Sequence, residues 1–217
     1  AFFSPPVTSL QRKKMTTPLF IYVHGFNSSP QSMKAQVFLR YMQEQGMADQ
    51  VEVPDLPHWP AKAMETLREL VECHADRPII LLGSSLGGYY STWLTEHYSH
   101  VRTVLINPSV RPFELLPQYL GMNENLYSGE TYELTEQHLQ QLLDLCCEKI
   151  TKPDAYLLMV QTADETLDYR EAVDKFAKSP QFIQPGGSHG FEQFENVIPA
   201  IMAFAEGRIA LPEAHRI

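Results

Sequence analysis

The chain has 217 residues, of which 44% are hydrophobic, and this is enough to bury the core of one α/β domain. Its formal net charge of −9 argues against a nucleic-acid partner, because phosphate binding requires a basic surface. The sequence contains no apolar run near the roughly 20 residues that cross a bilayer, so we expect no membrane span.

The chain has three cysteines, Cys73, Cys146 and Cys147. They form neither an even disulfide framework nor the spacing of a metal site. We therefore predict free thiols in a reducing, cytoplasmic location. We expect neither a metal nor an organic cofactor.

Residues 1–14 place their basic residues near the end of the segment, after a short Pro-containing stretch. A signal peptide has the opposite polarity, so we interpret this segment as upstream sequence or an expression remnant, with Met15 as the natural start. The remainder contains no internal repeats and no low-complexity tract. It predicts a single domain over 15–207 and a tail at 208–217.

Strands and helices alternate along the chain, which is typical of a parallel sheet covered by helices on both faces. Continuous apolar runs such as Leu19-Phe20-Ile21-Tyr22-Val23 indicate strands that are buried on both faces. The last helix contains Pro199, which we expect to kink it. In chain order the predicted elements are strand 19–23, helix 32–45, strand 50–53, helix 61–73, strand 77–82, helix 87–97, strand 103–106, helix 135–150, strand 155–160, helix 169–178, strand 182–184 and helix 191–206.

The largest insertion runs over about 108–152, between the fourth and fifth predicted strands. It combines an apolar stretch, a Gly- and Asn-rich turn and an amphipathic helix with Thr135 as its N-cap. We predict a small helical cap over the carboxyl edge of the sheet, which would exclude water and shape a pocket. The alternative is a helix that packs on the sheet without touching a substrate.

The segment Gly83-Ser84-Ser85-Leu86-Gly87 follows the buried strand 77–82 and leads into a helix. A G-x-S-x-G match in that context predicts a nucleophile elbow. Glycines two positions to either side of Ser85 remove the side chains that would collide in such a strained turn. Ser84 has leucines at those positions, so Ser85 is the candidate nucleophile.

The loop after the first strand is His24-Gly25-Phe26-Asn27. In hydrolases of the α/β class this loop donates one backbone N–H to the oxyanion hole, and the residue after the nucleophile donates the other. Phe26 and Leu86 are therefore the predicted donors, with Asn27 as a side-chain contact to substrate. His24 comes too early in the chain for the base, and we interpret it as a structural histidine that braces the loop.

His189 is the candidate general base, because the flanking glycines of Pro185-Gly186-Gly187-Ser188-His189-Gly190 let a loop present its imidazole. Asp164 follows the strand 155–160, where a loop would point a carboxylate toward the site and orient the histidine. Asp168 is the alternative acid. Otherwise Asp168 has the position of a first-turn acid of the next helix.

The loop 55–60 leaves the second strand on the side where open parallel sheets bind ligands. Its His58 and Trp59 are candidates to line an acyl or alcohol pocket. Packing of the aromatic ring in a Pro-fixed loop is an equally good interpretation.

Four segments together resemble the YqiA/YcfP family of small bacterial α/β-hydrolase esterases, namely residues 20–30, 83–89, 106–108 and 186–191. The resemblance extends from Met15 to about Gly207, and its most specific part is the H-G-F-N-S-S-P loop combined with the elbow in a short chain. It implies an α/β-hydrolase fold and an esterase or thioesterase with a triad of Ser85, Asp164 and His189. The segment before Met15 departs from what such short proteins are expected to have.

We therefore predict a serine esterase that hydrolyses a small-molecule acyl ester of short to medium chain through an acyl-enzyme. Thioesterases, lactonases, C–C hydrolases and cofactor-free haloperoxidases use the same residues, and the sequence leaves these alternatives open. A protein that binds a ligand without turning it over is the alternative from another class, because fold alone does not determine function. The oligomeric state is also left open.

Overall fold

A computed structural model describes residues 17–217. The interpretation of residues 1–14 as a leader and of Met15 as the start lies outside the described residues. In the described part, the strands are β1 Leu19–Val23, β2 Val51–Glu52, β3 Ile79–Ser84, β4 Val101–Ile106, β5 Gly121–Glu124, β6 Thr131–Leu134, β7 Tyr156–Gln161 and β8 Gln181–Gln184. The α-helices there are α1 Met33–Glu44, α2 Pro60–Cys73, α3 Leu86–His97, α4 Pro112–Leu115, α5 Glu136–Asp144, α6 Tyr169–Lys175 and α7 Ile198–Ala205.

Six of these strands form one parallel sheet in the order β2-β1-β3-β4-β7-β8. Every residue of β1, β3 and β7 is buried, as their continuous apolar runs predict for strands covered on both faces. The predicted α/β-hydrolase architecture of about six mostly parallel strands between helices is confirmed.

Alternate side chains of β1 enter two different cores, because successive residues of a strand point to opposite faces. Phe20 and Tyr22 pack in a cluster with residues of α1 and α7. Leu19, Ile21 and Val23 pack on the other face with residues of α2 and α3. The sheet is therefore a rigid central layer, and its carboxyl edge is a suitable place to fix functional side chains.

The insertion is more varied than the predicted helical cap. Its Gly- and Asn-rich part is an antiparallel hairpin of β5 and β6, in which the Asn125 N–H donates to Glu130 O and the Gly129 N–H donates to Asn125 O. The predicted helix over 135–150 begins with a capping box at Thr135 but ends at Asp144. The apolar spacing continued to Ile150, but Ile150 packs with the β7 and α6 side of the core, so tertiary contacts end the helix early.

The predicted helix over 191–206 is also shorter, and the prediction that Pro199 kinks it is wrong. Phe191 and Gln193 have positive φ angles, a 3₁₀ turn covers Phe194–Val197, and α7 begins only at Ile198. Pro199 therefore lies in the first helical turn, where an N–H is not needed for the helix.

The second predicted strand is shorter than expected, at two residues.

None of the helices in the described range 17–217 combines the length and apolar character that crossing a membrane requires.

Candidate active site

Ser85 lies between β3 and α3 with φ 54° and ψ −121°, an uncommon conformation for a residue with a side chain. The turn is possible because Gly83 and Gly87 have no side chains, so the first turn of α3 can lie close to neighbouring backbone atoms. A Cβ at Gly83 would lie 2.7 Å from Gly88 Cα, and one at Gly87 would lie 1.9 Å from Val23 O. The two glycines of the motif thus allow close approach, and the serine carries the strain, as a nucleophile elbow requires.

The structure brings together the three side chains proposed as a triad. His189 Nε2 lies 3.1 Å from Ser85 Oγ, and His189 Nδ1 lies 2.8 Å from Asp164 Oδ2. A carboxylate only accepts, so Nδ1 carries the proton and Nε2 is free to accept from the serine hydroxyl. The Asp164 side chain is 1% exposed and that of His189 is 24% exposed, so the imidazole faces solvent and the carboxylate does not.

Asp164 and Asp168, the two candidate acids, have different surroundings. The second carboxylate oxygen of Asp164 accepts the N–H groups of Thr166 (2.9 Å) and Leu167 (2.8 Å), which fixes its plane. Asp168 caps α6 by accepting the N–H of Arg170 and pairs with its guanidinium at 2.7 Å. The hydrogen bonds from Arg170 lower the pKa of Asp168. The geometry therefore assigns Asp164 to the histidine and Asp168 to the helix.

The loop that carries His189 is held by polar side chains that the sequence analysis did not single out. Asn107, which is buried just after β4, donates to Ser188 O (3.0 Å) and His189 O (3.1 Å) and accepts the N–H of Gln161 (3.0 Å). Gln161, at the end of β7, accepts the N–H groups of Ser188 (3.1 Å) and Glu192 (2.8 Å). Their position directly after a buried strand was the available signal.

Two charged groups complete this support. Glu165 accepts the backbone N–H of His189 at 2.9 Å, and this bond lowers the pKa of the Glu165 carboxyl. Lys34 on α1 donates from Nζ to Gly190 O at 2.9 Å, and burial lowers the pKa of its ammonium to about 8. His189 is thus positioned by groups from several elements.

The predicted oxyanion donors lie on the other side of Ser85. A Cβ at Gly25 would be 3.1 Å from Ser85 Cβ, so the loop after β1 passes against the elbow. Within residues 17–217, neither the Phe26 N–H nor the Leu86 N–H donates to a protein acceptor. Both amides are therefore available to a ligand oxygen.

His24 braces this loop as a neutral imidazole. Its Nδ1 lies 3.0 Å from Gly25 O, and its Nε2 accepts the N–H of Leu56 at 3.0 Å. This pattern requires the proton on Nδ1 and a lone pair on Nε2. Burial lowers the pKa of His24, which favours the same neutral form.

The three residues predicted to contact substrate all face the insertion. Asn27 accepts the hydroxyl of Tyr132. His58 stacks on Tyr132 at 4.0 Å between ring centroids, and Trp59 stacks on His138 at 3.7 Å. The contacts of Trp59 favour the packing interpretation, whereas His58 and Asn27 also line a small cavity of about 30 Å³ together with Phe26 and Leu86.

A cavity of about 170 Å³ opens beside Ser85 and His189. Neither His58 nor Trp59 lines it. Its wall is mostly apolar and comes mainly from the loop after β1, the start of α3 and the insertion, namely Phe26, Leu86, Pro112, Leu115, Leu116 and Tyr119, with Ser109 and Thr166 as polar members. A second, larger groove of about 1180 Å³ lies between the insertion and α6 and includes no member of the proposed triad.

The sequence comparison identifies the family of this chain. The model of the uncharacterised protein family UPF0227 matches residues 19–206. The chain belongs to this family. It is the YqiA/YcfP family that the four motifs indicated, and that prediction is confirmed.

Solved structures share the fold at low sequence identity. Est1E from Butyrivibrio proteoclasticus, with ferulic acid bound, superposes with a TM-score of 0.67 at 15% identity, covering 89% of this chain and 90% of that one. Mouse alpha/beta hydrolase domain-containing protein 10 superposes with a TM-score of 0.66 at 16% sequence identity, covering 88% of this chain and 89% of that one. The esterase domain of a Rhodothermus marinus protein superposes with a TM-score of 0.60 at 15% identity, covering 89% of this chain and 86% of that one. At these identities the likeness establishes an α/β-hydrolase fold.

Proposed function

We propose that this UPF0227 protein is a serine esterase that hydrolyses small acyl esters through an acyl-enzyme. The observation that carries the proposal is the continuous chain of hydrogen-bonding atoms from Ser85 through His189 to Asp164, at 3.1 and 2.8 Å. Nucleophile, base and orienting acid are then in contact before substrate binds.

In the proposed first step, Ser85 Oγ attacks the ester carbonyl carbon while its proton passes to His189 Nε2. Asp164 accepts from Nδ1 and stabilises the imidazolium. When the tetrahedral intermediate collapses, Nε2–H gives its proton to the alcohol oxygen, which leaves. The acyl group remains on the serine.

In the second step, water gives a proton to His189 Nε2 and its oxygen attacks the acyl carbon. The carboxylic acid is released when Ser85 Oγ takes the proton back. In both steps the carbonyl oxygen becomes an oxyanion, and the Phe26 and Leu86 N–H groups are the proposed donors to it. The preorganised amides need no rearrangement as the charge develops.

The cavity beside Ser85 supports a short to medium acyl ester as substrate. Its volume of about 170 Å³ and its aliphatic and aromatic wall fit a small apolar group.

The free thiols of Cys73, Cys146 and Cys147 agree with the proposed cytoplasmic location.

The test is a burst assay with p-nitrophenyl esters of increasing chain length, run on the wild type and on Ser85→Ala. We expect a burst, an acyl adduct on Ser85 by mass spectrometry, and loss of both in the variant. Acyl-CoA substrates run in parallel distinguish a thioesterase. Turnover that survives in Ser85→Ala, or a folded wild type with no adduct and no turnover, would contradict the proposal.

A further inference from the structure

We infer that Tyr132 is a positioning residue for the oxyanion hole, and that the β5–β6 hairpin of the insertion holds the loop that carries the Phe26 N–H. This inference rests on the proposed function and adds a role for the insertion beyond that of a lid over the pocket.

The hairpin contacts consecutive residues of the oxyanion loop. The Tyr132 hydroxyl on β6 donates to Asn27 Oδ1 at 2.5 Å. Asn125, at the hairpin turn, donates from Nδ2 to Ser28 O at 2.9 Å. Tyr119, just before β5, places its ring 5.7 Å from that of Phe26. The outer side of the loop is thus held by side chains about one hundred residues away in the chain.

The Gly25–Phe26 peptide is the unit whose direction matters, because its N–H is the proposed donor. Glycine allows wide rotation at its own dihedrals, so Gly25 gives this peptide little restraint. His24 holds the carbonyl side of the same peptide. The direction of the Phe26 N–H depends on the conformations of Phe26 and Asn27. Asn27 has a positive φ of 49°, a conformation that needs support from its surroundings. Tyr132 provides that support.

Tyr132 is itself fixed by a pair of neutral histidines. Its ring stacks on His58, and His58 Nδ1 lies 2.9 Å from His138 Nε2. The Thr135 N–H donates to His138 Nδ1, so Nε2 carries the proton and donates to His58. Burial raises the pKa of Tyr132 to about 12, so its hydroxyl is protonated and can donate at neutral pH, as an ordinary tyrosine also does.

The experiment compares Tyr132→Phe with Tyr127→Phe, which removes an exposed hydroxyl from the same hairpin. Asn27→Gly removes the acceptor while allowing the positive φ. Each variant and the Tyr132→Phe/Asn27→Gly double variant is assayed for kcat, KM and the inhibition constant of a trifluoromethyl ketone, which forms an oxyanion on serine. A thermal unfolding curve for each variant serves as the control that the variant is folded.

We expect Tyr132→Phe to lower kcat about 10-fold with little change in KM, and to weaken the ketone by the same factor. This is less than the 10²- to 10³-fold loss seen when a donor is removed, because the donor is only misdirected. Tyr127→Phe keeps wild-type values. In the Asn27→Gly background, Tyr132→Phe has no further effect, since the loop then offers no acceptor to the Tyr132 hydroxyl. Asn27→Gly alone costs at least as much as Tyr132→Phe, because it also removes the contact of Asn27 Nδ2 with Asn123 Oδ1 at 3.4 Å.

The inference would be overturned if the kcat losses of the two single variants multiplied in the double variant. It would also be overturned if Tyr132→Phe changed KM alone. Amide hydrogen exchange of the peptide containing residues 24–28 provides a readout that does not depend on turnover. Exchange there increases in Tyr132→Phe and not in Tyr127→Phe if the inference is correct, and equal exchange in the two contradicts it. Absence of Ser85-dependent turnover in the wild type would contradict the proposed function separately.

Discussion

The two sides of Ser85 are held in different ways. On the side of the proposed base, His189 and Asp164 lie on loops that follow β8 and β7 of the parallel sheet, and buried polar groups tie those loops to neighbouring strands. On the side of the proposed oxyanion donors, the loop after β1 is braced by His24 and is held from outside by the insertion. A two-stranded hairpin is marginal alone, so this side depends on packing against the rest of the insertion. We therefore expect substitutions on the sheet side to have the largest effects on kcat. Substitutions on the insertion side are expected to have smaller effects.

The largest effect is expected for Asp164→Asn. The amide cannot hold the proton on His189 Nδ1, so Nε2 is no longer reliably free to accept from Ser85, and the equivalent change in serine proteases costs about 10⁴ in kcat. Asp168→Asn is the matched control, because asparagine is also a good N-cap. Steady-state kinetics of both variants measure the difference. Similar activity in the two would contradict the assignment of the acid.

Asn107→Ala is expected to have the next largest effect. It removes two hydrogen bonds to the backbone beside the base and leaves the buried Gln161 N–H without its acceptor, at a cost of about 1–3 kcal/mol of unfolding free energy. We expect kcat to fall about 10- to 100-fold with a smaller change in KM, since misplacement by about 1 Å can cost 10²-fold. Asn196→Ala, at an exposed site, is the control. Urea unfolding and kinetics that show no difference between the variants would refute this support role.

The insertion side predicts a pH dependence of stability. Burial, with a smaller contribution from His58, lowers the pKa of His138 to about 4, whereas an unfolded histidine titrates near 6.5. Between these values the unfolded state binds the proton and the folded state does not. Stability is therefore complete above about pH 6.5 and is lost as pH falls toward 4, by at most about 3 kcal/mol.

Urea unfolding at pH 7.0 and 5.0 measures this loss. We expect His138→Gln to flatten the dependence relative to the wild type, and exposed His97→Gln to leave it unchanged. Glu130 and Lys62 also act on His58 and contribute with opposite signs. The same slope in His138→Gln as in the wild type would show that the pair does not titrate with folding.

The sheet and the positions of the proposed triad could be predicted because their signals are local. Continuous apolar strands mark the sheet, glycines two residues from Ser85 mark the elbow, and chain order places an acid and a histidine after it. These signals depend on backbone geometry within a few residues. That is why the order of strands and helices was predicted well, although the last helix begins at Ile198 and not at 191.

The supporting residues could not be predicted in the same way. Asn107 is a single polar residue after a strand, and its partners Gln161 and His189 lie 54 and 82 residues away. Tyr132 stands in a four-residue alternating segment, which is too short to indicate a strand by its pattern. A pattern shows that such a side chain is buried, but it does not show which distant group it meets.

The close approach of Gly87 to β1 has one further consequence. A Cβ there would lie 1.9 Å from Val23 O and 2.8 Å from His24 O, so the first turn of α3 rests directly on the end of that strand. Leu86 precedes this glycine and Phe26 follows that strand by three residues. The distance between the two amides, and hence the width of the proposed oxyanion hole, therefore depends on the absence of a methyl group at Gly87.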